Sequence, residues 1–364
     1  MKSLTVKGKT YDLPIFLPDA TLGVVRGLDS LDLNSIGIRG VVVNTYHLAS
    51  DPGALVLRKF GGIKNFMKFS GLVVSDSGGW QVFSLIHRNK NSGRINDEGV
   101  KFSVGGKKGE IFTPEMSVRM QFEIGSDIII CLDDFTPPNA SPEKTLESVE
   151  RTTLWAKRSK EEYERQLVQR GLDNETRPLI FSVVQGDRSK ELRQKSAREL
   201  IGIGFDGFGY GGYMIDENGG LDKEMSKFIV ELIPNDKVKF ALGTGTPWDI
   251  AYLYSVGWNV FDCTLPTRDA RHKRLYSFKS APENSSDLLN KAFYEFIYIN
   301  RTKYQQDESP ISKYCDCLAC TNYSKAYVNH LFKINDTLAL RLATIHNLRV
   351  YTKVIELLQQ EPLQ

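Results

Sequence analysis

Short apolar runs rich in β-branched residues recur along most of the chain, and polar or helical segments separate them. Such a run is typical of a strand that is buried on both faces, as in a parallel sheet. Each run ends near Asp, Gly, Asn or Gln. The pattern predicts eight strands, at residues 14–17, 40–44, 72–75, 127–132, 179–184, 204–208, 238–242 and 259–261.

Several segments between these runs carry apolar residues at helical spacing. Residues 142–168 show it most clearly, with Leu146 and Val149 among dense charges. Residues 188–201 and 221–233 are similar. Buried strands that alternate with helices predict an α/β protein with a (β/α)8 TIM barrel. A doubly wound parallel sheet is the alternative, because short apolar runs are ambiguous.

Two segments interrupt this alternation. Residues 87–110 are polar and rich in Gly and Lys, which indicates an inserted loop or hairpin. Residues 280–313 lose the alternation, and the rest of the chain has a helical pattern. We therefore expect a catalytic barrel over residues 1–280 with an insertion near 87–110. A helical, zinc-binding subdomain over residues 281–364 would pack on that barrel.

Three of the five cysteines are clustered, at Cys315, Cys317 and Cys320. An odd, clustered set in a chain without a signal peptide favours metal binding over disulfides. Zinc takes four ligands in a tetrahedron, and a closed site of three Cys and one His is structural. On spacing alone the fourth ligand is either His330 or His346. We therefore predict a structural Zn²⁺ site.

Composition and charge narrow the function classes only a little. The 364 residues are 41% hydrophobic and 25% charged, which is ordinary for a soluble enzyme. A net charge of +3 does not by itself indicate a nucleic-acid partner, so such binding requires local patches. No apolar stretch approaches the roughly 18–20 residues of a membrane span. With no apolar signal core at the N-terminus, we expect a cytoplasmic protein without a membrane partner.

In a (β/α)8 barrel, the groups that follow the C-terminal ends of the strands meet at one mouth. An acid at such a position can instead cap the next helix. The presence of acids at several separate strand ends favours a shared site at the mouth over helix capping. The residues that this rule selects are Asp76, Ser77, Asp133, Asp134, Gln185, Gly211, Gly212, Gly243, Thr244, Gly245 and Asp262.

The strand that ends at Asp262 is followed by a cationic loop. Four cations follow within seven residues, namely Arg268, Arg271, Lys273 and Arg274. A carboxylate beside such a loop suits a reacting group that faces an anionic polymer; a capped strand and a solvated basic turn are the alternative. Two carboxylates that face one bond support nucleophilic displacement at a sugar carbon. We choose Asp262 and Asp76 as this pair.

Other residues at the predicted mouth suit a flat, hydrogen-bonding ligand. Trp80 lies in the turn after Asp76 and could stack on a base, although a core tryptophan is the equal alternative. Asp133, Gln185 and the Gly212 backbone suit the hydrogen-bonding edge of a purine. The sequence therefore predicts a nucleobase pocket beside the two acids.

Together these motifs resemble those of the tRNA-guanine transglycosylases, in order and over nearly the whole chain. The resemblance implies a zinc-containing (β/α)8 barrel. It also implies the exchange of guanine at the tRNA wobble position for a 7-deazaguanine, without cleavage of the RNA backbone. The matching stretches are 44–48, 75–81, 125–128, 132–134, 136–137, 184–186, 243–247, 261–263, 265–268, 315–320 and 344–348.

The resemblance also implies a role for individual residues. Asp262 is the nucleophile that attacks the anomeric carbon of the ribose and forms a covalent intermediate, and Asp76 is the general acid and base. Arg268 and Arg271 contact the anticodon loop. The residues implied to bind the base are Asp133, Gln185, Gly212, Trp80, Leu242 and Tyr213. Those implied to hold zinc are Cys315, Cys317, Cys320 and His346, which makes His330 an ordinary helix residue.

The implied partners are a tRNA with a GUN anticodon and a free 7-deazaguanine base. The chain resembles the bacterial or eukaryotic type, because it ends without the extra RNA-binding domain of archaeal members. Members of these types are homodimers or paired subunits, so we expect a homodimer. A non-catalytic RNA-binding partner subunit is an alternative, but the presence of Asp76 and Asp262 argues against it. A retaining glycoside hydrolase would explain neither the cysteine cluster nor the basic loop.

One segment departs from the family. Residues 211–217 read Gly-Gly-Tyr-Met-Ile-Asp-Glu, where the bacterial form has Gly-Gly-Leu-Ala-Val-Gly-Glu. This segment lines the pocket for the 7-substituent. Met214 and Ile215 do not obviously make room for the cyclopentenediol of queuine, and Asp216 adds a charge near the place of an aminomethyl cation. We therefore expect the aminomethyl base preQ1 as substrate, with a queuine-inserting enzyme as the alternative.

Overall fold

The structure is a computed structural model that describes residues 1–79, 93–104, 107–136 and 140–360. The side chains of residues 102–104 and 107–110 are not described. The strands are β1 Ser3–Val6, β2 Lys9–Asp12, β3 Ile15–Pro18, β4 Gly40–Asn44, β5 Leu72–Asp76, β6 Gly93–Asn96, β7 Gly99–Val104, β8 Lys107–Phe112, β9 Ile128–Ile130, β10 Leu179–Val184, β11 Gly207–Tyr210, β12 Val238–Ala241, β13 Val260–Cys263, β14 Arg274–Phe278 and β15 Tyr294–Tyr298.

Helices follow most of the strands. Two short 3-10 helices, Ser285–Leu289 and Thr302–Tyr304, lie near β15. The α-helices are α1 Ser30–Ser35, α2 Thr45–Ser50, α3 Ala54–Phe60, α4 Ile63–Met67, α5 Pro114–Ile124, α6 Pro142–Arg170, α7 Lys190–Ile203, α8 Lys223–Leu232, α9 Pro247–Ser255, α10 Leu265–Arg271, α11 Leu318–Asn322, α12 Lys325–Lys333 and α13 Thr337–Gln360.

Eight strands form one parallel sheet in the order β3-β13-β12-β11-β10-β9-β5-β4. The sheet closes almost completely between β3 and β4. There Asp19 forms a parallel bridge with Val42, and the Ala20 amide donates to the Val42 carbonyl at 2.7 Å. The predicted (β/α)8 barrel is therefore confirmed, and the doubly wound alternative is wrong.

Side chains of the barrel strands alternate between the barrel interior and the surrounding helices, as period-two strand geometry requires. The interior cluster combines Leu17, Val74, Phe181 and Phe240 with residues of the N-terminal hairpin β1–β2, such as Leu4. Since this hairpin precedes β3, it covers the N-terminal end of the barrel. The C-terminal end is left for the polar groups that follow the strands.

The strand at 204–208 was predicted three residues too early. Gly204 caps the C-terminus of α7 with a φ of 90°. Asp206 then binds Arg177 through two hydrogen bonds, of 2.7 and 2.8 Å. The strand therefore begins only at Gly207. The apolar Phe205 made this turn look like strand in the sequence, although it packs in the core outside the barrel.

The predicted helices at 142–168, 188–201 and 221–233 correspond to α6, α7 and α8. Ser141 caps α6, because its side chain accepts from the Lys144 amide. The helix ends at Gly171, whose φ of 62° is left-handed. Two antiparallel pairings join β6, β7 and β8 within the segment that was predicted as an insertion.

The C-terminal elements pack directly on the barrel. Helix α13 contacts α9, α10 and β3. Its Asn347 donates from Nδ2 to the carbonyls of Pro266 and Arg274, both at 3.0 Å. Strands β14 and β15 pair with each other on either side of residue 280, and the division into regions 1–280 and 281–364 stays a prediction. Within the described ranges, no helix is both long and apolar enough to cross a membrane.

Candidate active site and metal centre

Asp76 is the last residue of β5 and is partly buried at the barrel mouth. Its Oδ2 accepts from Nδ2 of Asn44, its register partner in β4, at 2.8 Å. The amides of Ser77 and Gly78 also donate to it. Burial raises the pKa of Asp76 to about 6, although these hydrogen bonds oppose the rise, and the negative charge of Asp19 adds to it. The carboxyl therefore titrates close to neutral pH.

A buried polar network holds the backbone around Asp76. Ser75 donates from Oγ to Oε1 of Gln121 at 2.7 Å, and Gln121 donates from Nε2 to the Ile130 carbonyl at 2.9 Å. Thr45 donates from Oγ1 to the Asp76 carbonyl at 2.6 Å. These bonds join β5 to α2, and β5 through α5 to β9. The sequence analysis did not select Gln121. The feature that could have indicated it is a polar amide on the mainly apolar face of a helix.

Asp262 lies in β13 and faces the same mouth. Its Oδ1 accepts from the Gly243 amide in the loop after β12, at 2.8 Å. Burial raises the pKa of Asp262 to about 7; the Gly243 bond lowers it, and the charges of Asp76 and Asp19 raise it further. The charge of Asp76 therefore favours the protonated form of Asp262.

Asp19 is a third carboxylate at this mouth, and the sequence reading missed it. It follows β3 directly, and its Oδ1 accepts a hydrogen bond from the Thr21 hydroxyl. Its charge contributes to the raised pKa of both Asp76 and Asp262. The rule that selected the other acids, an acid directly after a buried strand, would also have selected Asp19.

Asp133 and Gln185 meet at the predicted base pocket. Gln185 donates from Nε2 to Oδ2 of Asp133 at 2.7 Å. Burial and the charge of Asp76 raise the pKa of Asp133 to about 7, against the effect of the Gln185 bond. The buried Oε1 of Gln185 has no hydrogen-bond partner among the described residues. A buried, unsatisfied acceptor beside a titratable carboxyl fits a ligand that donates hydrogen bonds.

Two glycines allow this close approach. A Cβ on Gly79 would lie 2.7 Å from Oδ1 of Asp133, and a Cβ on Gly211 would lie 2.6 Å from Nε2 of Gln185. Either contact is too short for a real side chain, so any other residue would displace the polar group. Gly79 and Gly211 therefore have a packing reason to be glycine.

Asp134 has a different surrounding from its neighbour Asp133. Its Oδ2 accepts from Nη1 of Arg151 on α6 at 2.6 Å, and its own amide donates to Thr152 at 3.0 Å. Burial raises the pKa of Asp134, and the Arg151 pair opposes that rise. The strand-end rule selected both acids. The structure gives Asp134 a structural ion pair and leaves Asp133 at the pocket.

The remaining predicted base-pocket residues lie at the rim. Gly212 has a φ of 91°, and Leu242 is half-buried over Gly209. The Tyr213 ring is 45% exposed, and its centroid lies 5.3 Å from that of Phe135 in an edge-on contact. Trp80, the predicted stacking residue, lies outside the described residues.

The segment that departs from the family forms a tight turn. Met214 is buried and Ile215 is exposed. Oδ1 of Asp216 accepts from the amides of Asn218 and Gly220, both at 2.9 Å. This carboxylate therefore stabilises its own turn, which is a local structural reason for the residue that the sequence reading considered as a partner of an aminomethyl cation.

Cations surround the approach to the acids. Arg268 on α10 is exposed and Arg271 is half-buried. Burial lowers the pKa of Arg271, and the nearby charges of Arg26 and Arg268 lower it further. Arg26, from the loop after β3, is thus a third member of this cluster that the sequence reading missed. Arg274 is instead bound to Asp269 at 2.7 Å.

Four potential metal ligands converge in the C-terminal part of the chain. The ligand atoms of Cys315, Cys317, Cys320 and His346 all lie within 4.8 Å of one another. Nδ1 of His346 is 3.2 Å from Sγ of Cys320 and 3.5 Å from Sγ of Cys317. His330 is exposed on α12 and is not part of the cluster. The choice left open by spacing therefore falls on His346.

The surroundings of this cluster fit a metal ion. Nε2 of His346 lies 2.5 Å from the Tyr276 carbonyl oxygen, which can only accept. The ring proton therefore lies on Nε2, and Nδ1 is free to bind a metal. Fold and site together define a (β/α)8-barrel enzyme with paired acids at the mouth and a closed Cys3His cluster that could bind a metal ion.

Comparisons with known proteins agree with this class. The family model described as "Queuine tRNA-ribosyltransferase" matches residues 1–361. A queuine tRNA-ribosyltransferase of Mannheimia succiniciproducens is 36% identical, over 94% of this chain and 84% of the relative. One of Pelotomaculum thermopropionicum is 36% identical, over 95% and 86%. A putative queuine tRNA-ribosyltransferase of Archaeoglobus fulgidus is 33% identical, over 96% and 90%.

The chain therefore belongs to the queuine tRNA-ribosyltransferase family, the tRNA-guanine transglycosylases. The resemblance found in the sequence is confirmed, and the family identifies the chain as an enzyme, a pentosyltransferase.

Proposed function

We propose that this enzyme exchanges guanine at the wobble position of a tRNA with a GUN anticodon for a free 7-deazaguanine. The observation that carries the proposal is the pair Asp76 and Asp262 at one mouth, with pKa values of about 6 and about 7. Taken separately, these values favour the proton on Asp262 by about one pH unit. The reactive form is therefore the less populated one, in which Asp76 holds the proton and the charged Asp262 is the nucleophile.

The reaction has two symmetric steps. The Asp262 carboxylate attacks C1′ of the ribose, the bond from C1′ to N9 of guanine breaks, and Asp76 gives its proton to the departing base. The incoming base then loses its own N9 proton to Asp76, attacks C1′, and releases Asp262. No phosphodiester bond changes, so the RNA backbone stays intact. The covalent bond between Asp262 and the ribose is the intermediate.

The base is recognised through its hydrogen-bonding edge. Asp133 accepts from the ring N1–H and the exocyclic amine, and the Gln185 amide and the Gly212 N–H complete the contact. The hydrogen bond that Gln185 now makes to Asp133 fixes both side chains before a base arrives. Leu242, Tyr213 and Trp80 contact the faces and the rim of the base. Fixed polar groups in a largely formed pocket favour specific binding.

The incoming base in this proposal is preQ1. Met214 is only 5% exposed and packs in the core, and neither Met214 nor Ile215 is a small residue that would make room for a bulky 7-substituent. The aminomethyl group of preQ1 is smaller than the cyclopentenediol of queuine. Steady-state rates with both free bases test this choice, and a clear preference for queuine would contradict it.

The RNA binds at the cationic rim. Arg268 and Arg271 lie directly after the nucleophile strand, so they can contact the phosphates and bases that flank the reacting nucleotide. Arg26 reaches the same rim from a different loop. The net charge of the chain is small, so this local cluster supplies the attraction for RNA.

The Cys3His cluster holds zinc in this proposal. Three thiolates and one imidazole are the ligands that Zn²⁺ prefers, and four protein ligands leave no position for water. The metal is therefore structural and takes no part in the reaction. It holds a C-terminal zinc-binding subdomain, residues 281–364, against a barrel of residues 1–280.

The enzyme is a cytoplasmic homodimer in this proposal. Apolar side chains on and next to α11 and α12 are exposed, with Leu318 at 41%, Tyr327 at 39% and Ile334 at 54%. A contact between two copies would cover such a surface. Sedimentation of the protein and of Tyr327→Lys tests this, and a wild-type protein that stays monomeric would contradict it.

Guanine exchange is the simplest test of the reaction. Radiolabelled guanine is incubated with unmodified tRNA and the purified protein, and incorporation into RNA is counted. We expect incorporation by the wild type and none by Asp262→Asn. A protein that binds RNA but incorporates no base would instead be a partner subunit.

A further inference from the structure

The loop over residues 243–246 delivers the hydrogen bond that Asp262 accepts. It has the sequence Gly-Thr-Gly-Thr and connects β12 to α9. Gly243 has a φ of 67° and Gly245 has a φ of 144°, so the loop adopts a conformation that flexible glycines permit but do not enforce. Its C-terminal end is fixed by a capping box between Thr246 and Asp249. The middle of the loop, around Gly245, needs a contact from another part of the chain.

Tyr351 on α13 provides this support. Its hydroxyl donates to the Gly245 carbonyl at 3.1 Å, and its side chain is fully buried. The Cys263 thiol also donates to this carbonyl, at 3.3 Å, but a thiol is a weaker donor than a hydroxyl. The middle of the loop is therefore held from the C-terminal helix, which is distant in sequence.

The surroundings of Tyr351 fix its hydroxyl in place. Its ring centroid lies 4.7 Å from that of Phe16 and 5.5 Å from that of Tyr276. The Tyr276 hydroxyl donates to Oδ2 of Asp269 at 2.6 Å and lies 3.2 Å from the Tyr351 hydroxyl. Each hydroxyl has one proton. The Tyr276 hydroxyl uses its proton in the hydrogen bond to Asp269. The Tyr351 hydroxyl therefore uses its proton in the hydrogen bond to the Gly245 carbonyl.

We propose that Tyr351 is a positioning residue for the nucleophile: through Gly245 it holds the loop so that the Gly243 amide meets the Asp262 carboxylate. The inference rests on the function proposed for Asp262. A preorganised amide donor stabilises the charged form of a partly buried carboxylate, which is the form that attacks. The long helix α13 thereby becomes part of the catalytic machinery without touching the substrate.

Loss of the Tyr351 hydrogen bond should change the pKa of Asp262. The other charged groups that face Asp262 are Asp76 from β5 and Asp19 after β3, and both are acidic. The charge of Asp19 also acts on the cation Arg271. With the Gly243 bond weakened, no other hydrogen bond to Asp262 that the structure describes offsets these charges and burial. The pKa of Asp262 then rises, and less of the nucleophile is ionised at neutral pH.

The first test does not require activity. Hydrogen–deuterium exchange of the peptide that contains residues 243–246 is measured by mass spectrometry in the wild type and in Tyr351→Phe. The loss of one hydrogen bond should speed exchange of this peptide about 5-fold. The control is Tyr163→Phe, which removes a similar buried hydroxyl bond of 2.6 Å to Pro178 at the other end of the barrel. Unchanged exchange in Tyr351→Phe would overturn the inference.

The second test is the pH profile of base exchange. We expect Tyr351→Phe to shift the acid limb of kcat upward by about half a pH unit and to lower kcat several-fold, with KM for RNA within about 2-fold. Tyr276→Phe should shift it less, in the same direction. An equal loss at every pH would indicate a merely structural role and overturn the inference. A wild type without exchange activity would reject the proposed function, and the deuterium experiment would still decide the role of Tyr351.

Discussion

Asn44 donates a hydrogen bond from Nδ2 to Oδ2 of Asp76 over 2.8 Å, while its Oδ1 accepts from the His47 amide at 3.1 Å and caps α2. One amide therefore serves two purposes: it caps a helix and it restrains the pKa of the proposed acid Asp76. Burial raises that pKa to about 6, and the Asn44 bond opposes the rise together with the amides of Gly78 and Ser77.

Replacement of Asn44 separates the two purposes. Asn44→Ser keeps an oxygen for the helix cap but loses the donor to Asp76, and Asn44→Ala loses both. We expect both variants to raise the pKa of Asp76 by about 0.5–1 unit, and only Asn44→Ala to lose about 1 kcal/mol of stability. Titration of ¹³C-labelled aspartate by NMR measures the pKa. An unshifted Asp76 in Asn44→Ser would show that the amide does not set it.

Asp262→Asn tests the nucleophile. We expect base exchange to fall at least about 1,000-fold, with no covalent complex between RNA and protein on a denaturing gel. Asp236→Asn, an exposed carboxylate in the loop before β12, is the matched control and should keep full activity. Normal turnover by Asp262→Asn would remove Asp262 from the nucleophile role.

Asp262→Asn should also change thermal stability, in a direction that depends on pH. The pKa of Asp262 is raised from 3.8 to about 7. A raised pKa contributes stability that is fully present below the unfolded value and is lost as the pH rises through the folded value. Asp262→Asn does not ionise, so we expect a Tm above that of the wild type at about pH 8, and little difference at about pH 4. A lower Tm at the higher pH would contradict the assigned burial.

Asp133 and Asp134 are adjacent, yet we expect their substitution by Asn to affect different properties, KM for the base in one case and Tm in the other. Asp133→Asn should raise KM for the free base about 10- to 100-fold, because a charged hydrogen-bond partner of the base is lost. Asp134→Asn should leave that KM unchanged and lower the Tm, because it leaves Arg151 without its partner at 2.6 Å. Base-dependence of the initial rate and thermal unfolding measure the two effects. Equal KM values for the two variants would refute the assignment of Asp133.

Metal removal should act through stability. His346→Ala and Cys317→Ser should lose zinc, as measured by elemental mass spectrometry, and should unfold at a lower temperature. His330→Ala is the matched control, since this histidine lies on α12 outside the cluster. A loss of zinc in His330→Ala would show that the ligand set is wrong.

The cation cluster should determine the salt dependence of RNA binding. Arg26→Ala and Arg268→Ala should each reduce the slope of log affinity against log salt by about one. Lys9→Ala, on the hairpin at the opposite end of the barrel, should leave the slope unchanged. An unchanged slope in Arg26→Ala would exclude this residue from the RNA contact.

The strands were predictable because burial on both faces gives apolar runs that need no partner to be recognised. The exact start of β11 could not be predicted. Phe205, which precedes it, is apolar because it packs in the core outside the barrel, and it therefore looks like a strand residue. Likewise, spacing could not choose between His330 and His346, since both follow the cysteines on helices. Only the packing of α13 against β14 brings His346 to the thiols.

The acids of the candidate site could be selected from the sequence because each follows or ends a buried strand, as at Asp76, Asp133 and Asp262. Contacts between distant segments left no such signal. Arg26 and Arg271 come together only because β3 and β13 are neighbours in the barrel. Tyr351 reaches the loop at Gly245 from more than one hundred residues away, and nothing in its local sequence marks it.

Mass spectrometry of an anticodon stem-loop most directly tests the central claim. An RNA with a U-G-U wobble context is incubated with the protein and separately with preQ1, its nitrile analogue or queuine, and with guanine as the control whose exchange leaves the mass unchanged. We predict a mass change at the wobble nucleotide alone, with the largest converted fraction for preQ1, and no change with Asp262→Asn. An RNA that keeps its mass with all three 7-deazaguanines would contradict the assignment of this barrel as a base-exchanging enzyme.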